Sequence, residues 1–215
     1  MILPSTKLMA SLSATIILTG CAVGRSELNI QVPTGQVGQN NGKQVYVNEV
    51  TDQRTFQLKP PSPDIPSLDP TGDQAENIKS RAIGRKRNSY GMALGDIVLQ
   101  QGETVQSITQ KSIQEAFSEK GYSVISNKDQ VTKDTYVVDA SINKFWAWMN
   151  PGFVSITLSS EISTDLTIKS GDSTKPQNVS VKAADSFGTG VEGNWVEVIQ
   201  KSIRLYIDQL KSKLD

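Results

Sequence analysis

The sequence predicts an α+β domain: a single antiparallel, or mixed, sheet with two helices packed on one face. Three observations carry this. Apolar and polar residues alternate through 138–142, 154–168 and 179–183, the period-two pattern of strands with one buried and one wet face. Two other stretches, from Glu103 and from Asn194, carry apolar residues at spacings of three and four, the helical period. Short Gly-, Pro- and Asn-containing runs separate the periodic segments as turns.

At the N-terminus, Lys7 precedes an apolar run from Leu8 to Leu18, and small residues follow up to Cys21. The run is too short to span a bilayer and reads as a removable export signal over residues 1–20. Leu18-Thr19-Gly20-Cys21 resembles the bacterial lipobox, in which the cysteine becomes the first mature residue and carries acyl chains. Two or more chains make a stable membrane anchor where one is marginal. Ala22 stands where inner-membrane lipoproteins of this type carry aspartate, so the resemblance places the protein at the outer membrane, on its periplasmic face.

Residues 21–43 are rich in Gly, Gln and Asn and read as a flexible tether ahead of a domain spanning 44–215. Val45, Val47 and Val50 mark a first strand, followed by Asp52-Gln53-Arg54 as a surface turn with a local ion pair. Five prolines fall in 59–73, which reads as a mobile loop. A second strand is expected over 81–87, where Arg81, Arg85, Lys86 and Arg87 suit either a solvated sheet edge or an anion-binding surface. Extended chain follows over 90–99. Val105, Ile108, Ile113, Ala116 and Phe117 make an amphipathic helix stopped by Gly121, and Tyr122–Ile125 starts a return strand. After the alternating hairpins, with turns at 150–152 and 170–172, a closing helix runs from about Asn194, its expected cap, to Lys213. Its apolar positions are Val196, Ile199, Ile203, Tyr206, Ile207, Leu210 and Leu214.

Composition excludes more chemistry than it offers. Histidine is absent, and Cys21 is the only cysteine. No Ser-His-Asp or Cys-His nucleophile, no His/Cys zinc site and no disulfide within the domain are therefore available, and no Asp-rich loop suggests an oxygen-ligated cation. Lys+Arg and Asp+Glu both number 22, and loss of Lys7 with the signal leaves 21 against 22, a balance that argues against nucleic acid. Gly188-Thr-Gly-Val-Glu-Gly193 matches a dinucleotide fingerprint but lacks the following strand and distant acid that the mechanism needs. Ser141 and Lys144 match a catalytic spacing that works only on a helix, and here they lie on a strand. The expectation is a protein without catalytic residues, cofactor or metal.

Phe145, Trp146, Trp148, Met149 and Phe153 gather much of the aromatic content at one hairpin. Strict alternation sends Trp146 and Trp148 to the face of Ile142 and Phe145 to the other. Two readings fit: a core plug beneath the helices, or an exposed patch for a partner.

The lipobox, the strand leading into Thr51-Asp52-Gln53-Arg54, the helix ending in Lys120-Gly121-Tyr122-Ser123-Val124 and the alternating hairpins together resemble the YajG family of bacterial lipoproteins. The Pro-rich loop departs from that pattern as an insertion. The resemblance implies an outer-membrane lipoprotein with a small α+β periplasmic domain, and it supplies no catalytic residues. The expected role is a non-catalytic accessory protein, held to the membrane through acylated Cys21 and binding another envelope protein. The alternative is a domain that binds a small ligand or glycan on its polar sheet face.

Overall fold

The computed structural model describes residues 24–68 and 78–214. Residues 1–20, expected to be an export signal, and Cys21 lie outside the described residues. Within them the chain runs β1 (Ser26–Leu28), β2 (Gln44–Asp52), β3 (Ala82–Arg87), β4 (Ala93–Leu99), α1 (Val105–Glu119), β5 (Ser123–Val124), a 3₁₀ turn (Lys128–Gln130), β6 (Tyr136–Pro151), β7 (Ile156–Ser170), β8 (Ser173–Phe187) and α2 (Glu192–Lys213). Among the described residues these form one eight-stranded sheet and two helices, an α+β arrangement.

The sheet is mixed. β6–β7, β7–β8 and β3–β4 pair antiparallel, whereas β1–β4, β2–β5, β2–β6 and β3–β6 pair parallel. Side-chain alternation reports which face a residue occupies and says nothing of strand direction, so the parallel half was invisible in the sequence. The 16-residue β6 organises the whole: β7 lines one edge, while β2 and then β3 follow each other along the other.

α1 begins as its sequence directs. Thr104 accepts from the Ser107 amide and Ser107 accepts from the Thr104 amide, a reciprocal capping pair. Gly121 ends it at φ +91°, and a Cβ there would lie 2.0 Å from the Gln39 carbonyl oxygen. α2 starts two residues earlier than expected. Its N-cap is Val191, and Asn194 instead donates to the Thr189 carbonyl at 2.8 Å. One core takes side chains from both helices and from the strands, including Val45, Val47, Ile97, Ile108, Phe117, Ile142, Leu158, Trp195, Ile203 and Ile207. Between α2 and β7 that core encloses two polar pairs, Ser160–Ser202 at 2.8 Å and Thr164–Tyr206 at 2.9 Å, which set the register of helix against strand.

The tether reading is overturned for residues 24–43. β1 pairs with β4, and Leu28 and Ile30 are buried in the main core. The chain then follows α1, with the Gly35 amide on Glu115 Oε1 (2.8 Å), the Gly38 amide on the Ser118 carbonyl and the Asn41 amide on the Gly121 carbonyl (both 3.0 Å). A Cβ on Gly38 would come within 2.5 Å of the Glu119 carbonyl oxygen. Here glycine admits a close backbone approach, which in a sequence looks the same as flexibility.

The Pro-rich loop holds no strand or helix through residue 68, apart from one bridge between Gln57 and Ser67. It is packed down all the same, with Pro66 and Ser67 buried. The turn reading of Asp52–Arg54 also fails. Arg54 is only 3% exposed and all its donors are used: Nε and Nη2 fork onto Asp52 at 2.8 Å, Nη2 also meets the Lys79 carbonyl, and Nη1 meets the carbonyls of Ala82 and Phe145. This guanidinium ties β2 to β3 at the place where one follows the other along β6. Finally, β3 is interior, between β4 and β6, so its basic run is no solvated edge. Arg85 and Lys86 are buried, and Lys86 Nζ donates to Ser26 Oγ, which in turn donates to Glu192 at the start of α2.

Candidate binding groove

The aromatic hairpin lies where strict alternation does not put it, because β6 carries a bulge between Ile142 and Lys144. One extra residue inverts the parity beyond it. Phe145 and Ala147 therefore join Ile142 in the main core, and Trp146 and Trp148 turn to the other side of the sheet. There they form a second cluster with Ile78, Ala82 and Val98, with Phe56 and Leu68 packed against it. Trp146 donates its indole N–H to the Pro63 carbonyl at 3.1 Å and meets Phe56 edge-on at 6.0 Å. The Pro-rich loop is thus the lid of this cluster. Trp148 lies beneath the ammonium groups of Lys144 and Lys182, at 5.5 and 4.9 Å from its ring centroid.

Of the residues expected at an interaction surface, Phe145, Trp146 and Trp148 are buried within the protein, and Met149 is partly buried against the main core. Only Phe153 stands fully exposed, with Val154 beside it. At β3 and the C-terminal half of β6 both faces of the sheet are covered, one by the helices and one by the loop. The conflict that favoured an exposed aromatic patch is thereby resolved.

The open concave surface on the loop-covered side lies instead between that loop and the β3–β4 hairpin, a groove of about 600 Å³. Arg85 and Arg87 point to this side, since Arg85 pairs in register with Trp148. Arg85 faces Asp96, Nε to Oδ1 3.5 Å. Arg87 donates Nη1 to the Gly91 carbonyl and Nη2 to Ser67 Oγ, each at 2.8 Å, and so joins the hairpin tip to the loop. Burial, and then the neighbouring Arg85 charge, lower the Arg87 guanidinium from its ordinary pKa. Asn88 builds the tip, its Oδ1 accepting from the amides of Tyr90 (3.0 Å) and Met92 (2.9 Å). The turn leaves Tyr90 (88% exposed) and Met92 (61% exposed) on the rim, opposite Leu58 and Lys59. Its elements are thus a cationic floor and an apolar rim.

The sequence marked the basic run but put it on an edge, and it did not mark Tyr90, Met92 or Leu58. The available signal was a tyrosine and a methionine inside an Asn-Ser-Tyr-Gly-Met turn, where neither packs a core. A second groove, about 440 Å³, lies between residues 30–34 and α1, and the Glu103–Lys111 ion pair (2.8 Å) already occupies its charged lining. Neither catalytic spacing assembles: Ser141 meets Thr51 at 3.2 Å while Lys144 pairs with Glu161 at 2.9 Å, and Gly188–Gly193 simply lead into α2. Among the described residues no three acids come together as a metal site, and no helix is long and apolar enough to cross a membrane.

No family model matches the chain, and no curated protein matches it. Solved structures similar to it include an uncharacterised protein (7% identity, TM-score 0.48, covering 89% of this chain and 98% of that one). Another is an uncharacterised protein from Xanthomonas campestris (13% identity, TM-score 0.40, covering 86% and 97%). A third is a protein from Helicobacter pylori described as a homologue of a neuraminyllactose-binding hemagglutinin (11% identity, TM-score 0.36, covering 87% and 94%).

Proposed function

We propose that this protein is a lipid-anchored, non-catalytic accessory protein of the bacterial envelope, of the YajG type. On this reading Cys21 carries the acyl chains on the periplasmic face of the outer membrane, and the β3–β4 groove binds another envelope component. The observation that carries the binding role is the groove itself. Exposed Tyr90, Met92 and Leu58 surround Arg85 and Arg87 on a surface that the described residues leave open. Aromatic, methionine and arginine side chains are the types enriched in interface centres. The lipid anchor is supported by the lipobox and by a chain that holds no other cysteine. The non-catalytic reading is supported by the lack of histidine and by the scattering of the catalytic-looking spacings described above.

The anchor is tested by Cys21→Ser, which should abolish acyl labelling and leave unprocessed precursor. The binding role is tested by a photoreactive side chain at Met92 in intact cells, expected to give one discrete crosslinked protein that Tyr90→Glu, at an exposed position, removes while the melting temperature holds. A crosslink pattern insensitive to Tyr90→Glu would sink it.

A small anionic ligand is the second reading, favoured by two neighbouring guanidiniums whose repulsion an anion would relieve. It predicts a rise in melting temperature with inorganic phosphate or an anionic glycan, absent in the Arg87→Glu variant.

A further inference from the structure

Most of the large apolar side chains that the described residues expose gather at one end of the molecule. β3 runs parallel to β6 with Gly84 opposite Ala147 and Arg85 opposite Trp148. The β3–β4 tip and the β6–β7 tip therefore leave the sheet from the same end. Ile156 pairs with Phe187, so the lead into α2 lies there as well. These three connections carry Tyr90, Met92, Phe153, Val154 and Val191, all exposed, with Phe153 at 104% of its reference area. The opposite end is polar: the β7–β8 turn is Ser170-Gly171-Asp172, and Val37 lies beside the C-terminus of α1. Sixteen residues of β6 separate the two ends by roughly 50 Å, at about 3.3 Å per residue.

The first described residue sits at the apolar end. β1 runs parallel to β4, which starts at the β3–β4 tip, and the Gly24 amide donates to the Leu94 carbonyl at 2.8 Å. Gly95 makes that approach possible, since a Cβ there would lie 1.9 Å from the Gly24 carbonyl oxygen. Cys21 is three residues further, a span of at most about 11 Å. Arg25, exposed beside Gly24, adds a cation at the same place.

We infer that this end is a bilayer-docking surface: Phe153 and Val154 at the β6–β7 tip insert at the level of the lipid headgroups within reach of the acylated Cys21, while Tyr90 and Met92 on the groove rim stay with the partner, and the long axis of β6 stands away from the membrane. The inference rests on the lipoprotein reading. An anchor three residues from Gly24 brings this end of the sheet to the interface, where an aromatic such as Phe153 is favoured and Arg25 meets anionic headgroups. The polar end, with the β7–β8 turn, then reaches into the periplasm.

The full mature chain offers a clean probe, because the Cys21 thiol is taken up by lipid and the chain has no other cysteine. Phe153→Cys and Val37→Cys, each at an exposed position, accept a nitroxide without disturbing the core. In phosphatidylethanolamine–phosphatidylglycerol vesicles, the label at 153 is expected to show several-fold more oxygen collisions and several-fold fewer nickel-chelate collisions than the label at 37. The label at 37 should stay open to nickel. Protein that carries its acyl mass and floats with the vesicles, yet leaves 153 as open to nickel as 37, overturns the docking surface and leaves the lipoprotein reading intact. Absence of the acyl mass and of flotation overturns both. Shielding of 153 from nickel and from oxygen together means that a second copy of the chain covers this end, which also overturns the lipid surface.

Discussion

Arg54 shows how far a residue's role depends on its surroundings. An Asp-x-Arg turn on a surface contributes at most about 1 kcal/mol. The same pair, buried and with each guanidinium N–H on an oxygen, becomes a clamp whose loss takes the guanidinium from Asp52 and from three carbonyls. Arg54→Ala is therefore expected to destabilise the protein by roughly 3–5 kcal/mol in urea unfolding, the range for breaking a buried pair. Arg54→Lys should recover little, since an ammonium cannot reproduce the fork. A loss under about 1 kcal/mol in either variant would mean that the pair behaves as an exposed one. Trp146 makes the same point for an apolar residue. Fully buried beneath the loop and hydrogen-bonded to Pro63, it should cost about 3–5 kcal/mol on change to alanine. Intact stability in Trp146→Ala would restore the exposed-patch reading.

Among the elements, the contact between α1 and α2 is held by charge at its outer end. Glu119, nearly buried, takes Arg204 at 2.5 and 3.0 Å and Lys211 at 2.6 Å. Burial alone raises its carboxyl, but hydrogen bonds from Arg204 and Lys211 outweigh that and leave it below its ordinary 4.5. Asp208 is lowered too, first by its hydrogen bonds with Arg204. A carboxyl lowered by folding stabilises fully above its unfolded value, and that stability is lost as pH falls through the folded one. Glu119→Gln should then cost roughly 2 kcal/mol near neutral pH, as for hydrogen bonds to charged groups. The gap to the unmutated protein should close as the pH drops below about 4.5. Because Arg204 and Lys211 are partly exposed, salt should narrow it as well. A gap constant down to pH 3 would mean that the carboxylate charge is not what joins the helices.

For the whole molecule, the N-terminal segment decides what counts as the domain. Residues 26–41 supply an edge strand, two buried apolar side chains and a band of backbone hydrogen bonds along α1. Fully burying side chains such as Leu28 and Ile30 is worth about 1.5–3 kcal/mol each. In native-state hydrogen exchange the Gly38 and Asn41 amides should be protected to a degree comparable with the middle of α2. Free exchange there would return the segment to the status of a tether.

What could be read from the chain alone was local. Period-two and period-three-to-four patterns located both helices and the strands from β2 to β8, and the Gly121 stop of α1 follows from short-range backbone chemistry. The proposed export signal and lipid anchor and the poverty of catalytic residue types are equally local, because each rests on which residues are present or adjacent. Strand direction, the bulge after Ile142, the burial of Arg54 and the packing of the Gly-rich N-terminal segment were decided only by tertiary structure. Each depends on groups far apart in sequence. One inserted residue in β6 puts two tryptophans on the loop side of the sheet and not on the helix side. The groove exists because Ser67, Arg87 and Gly91 meet across gaps in the chain that no periodicity encodes.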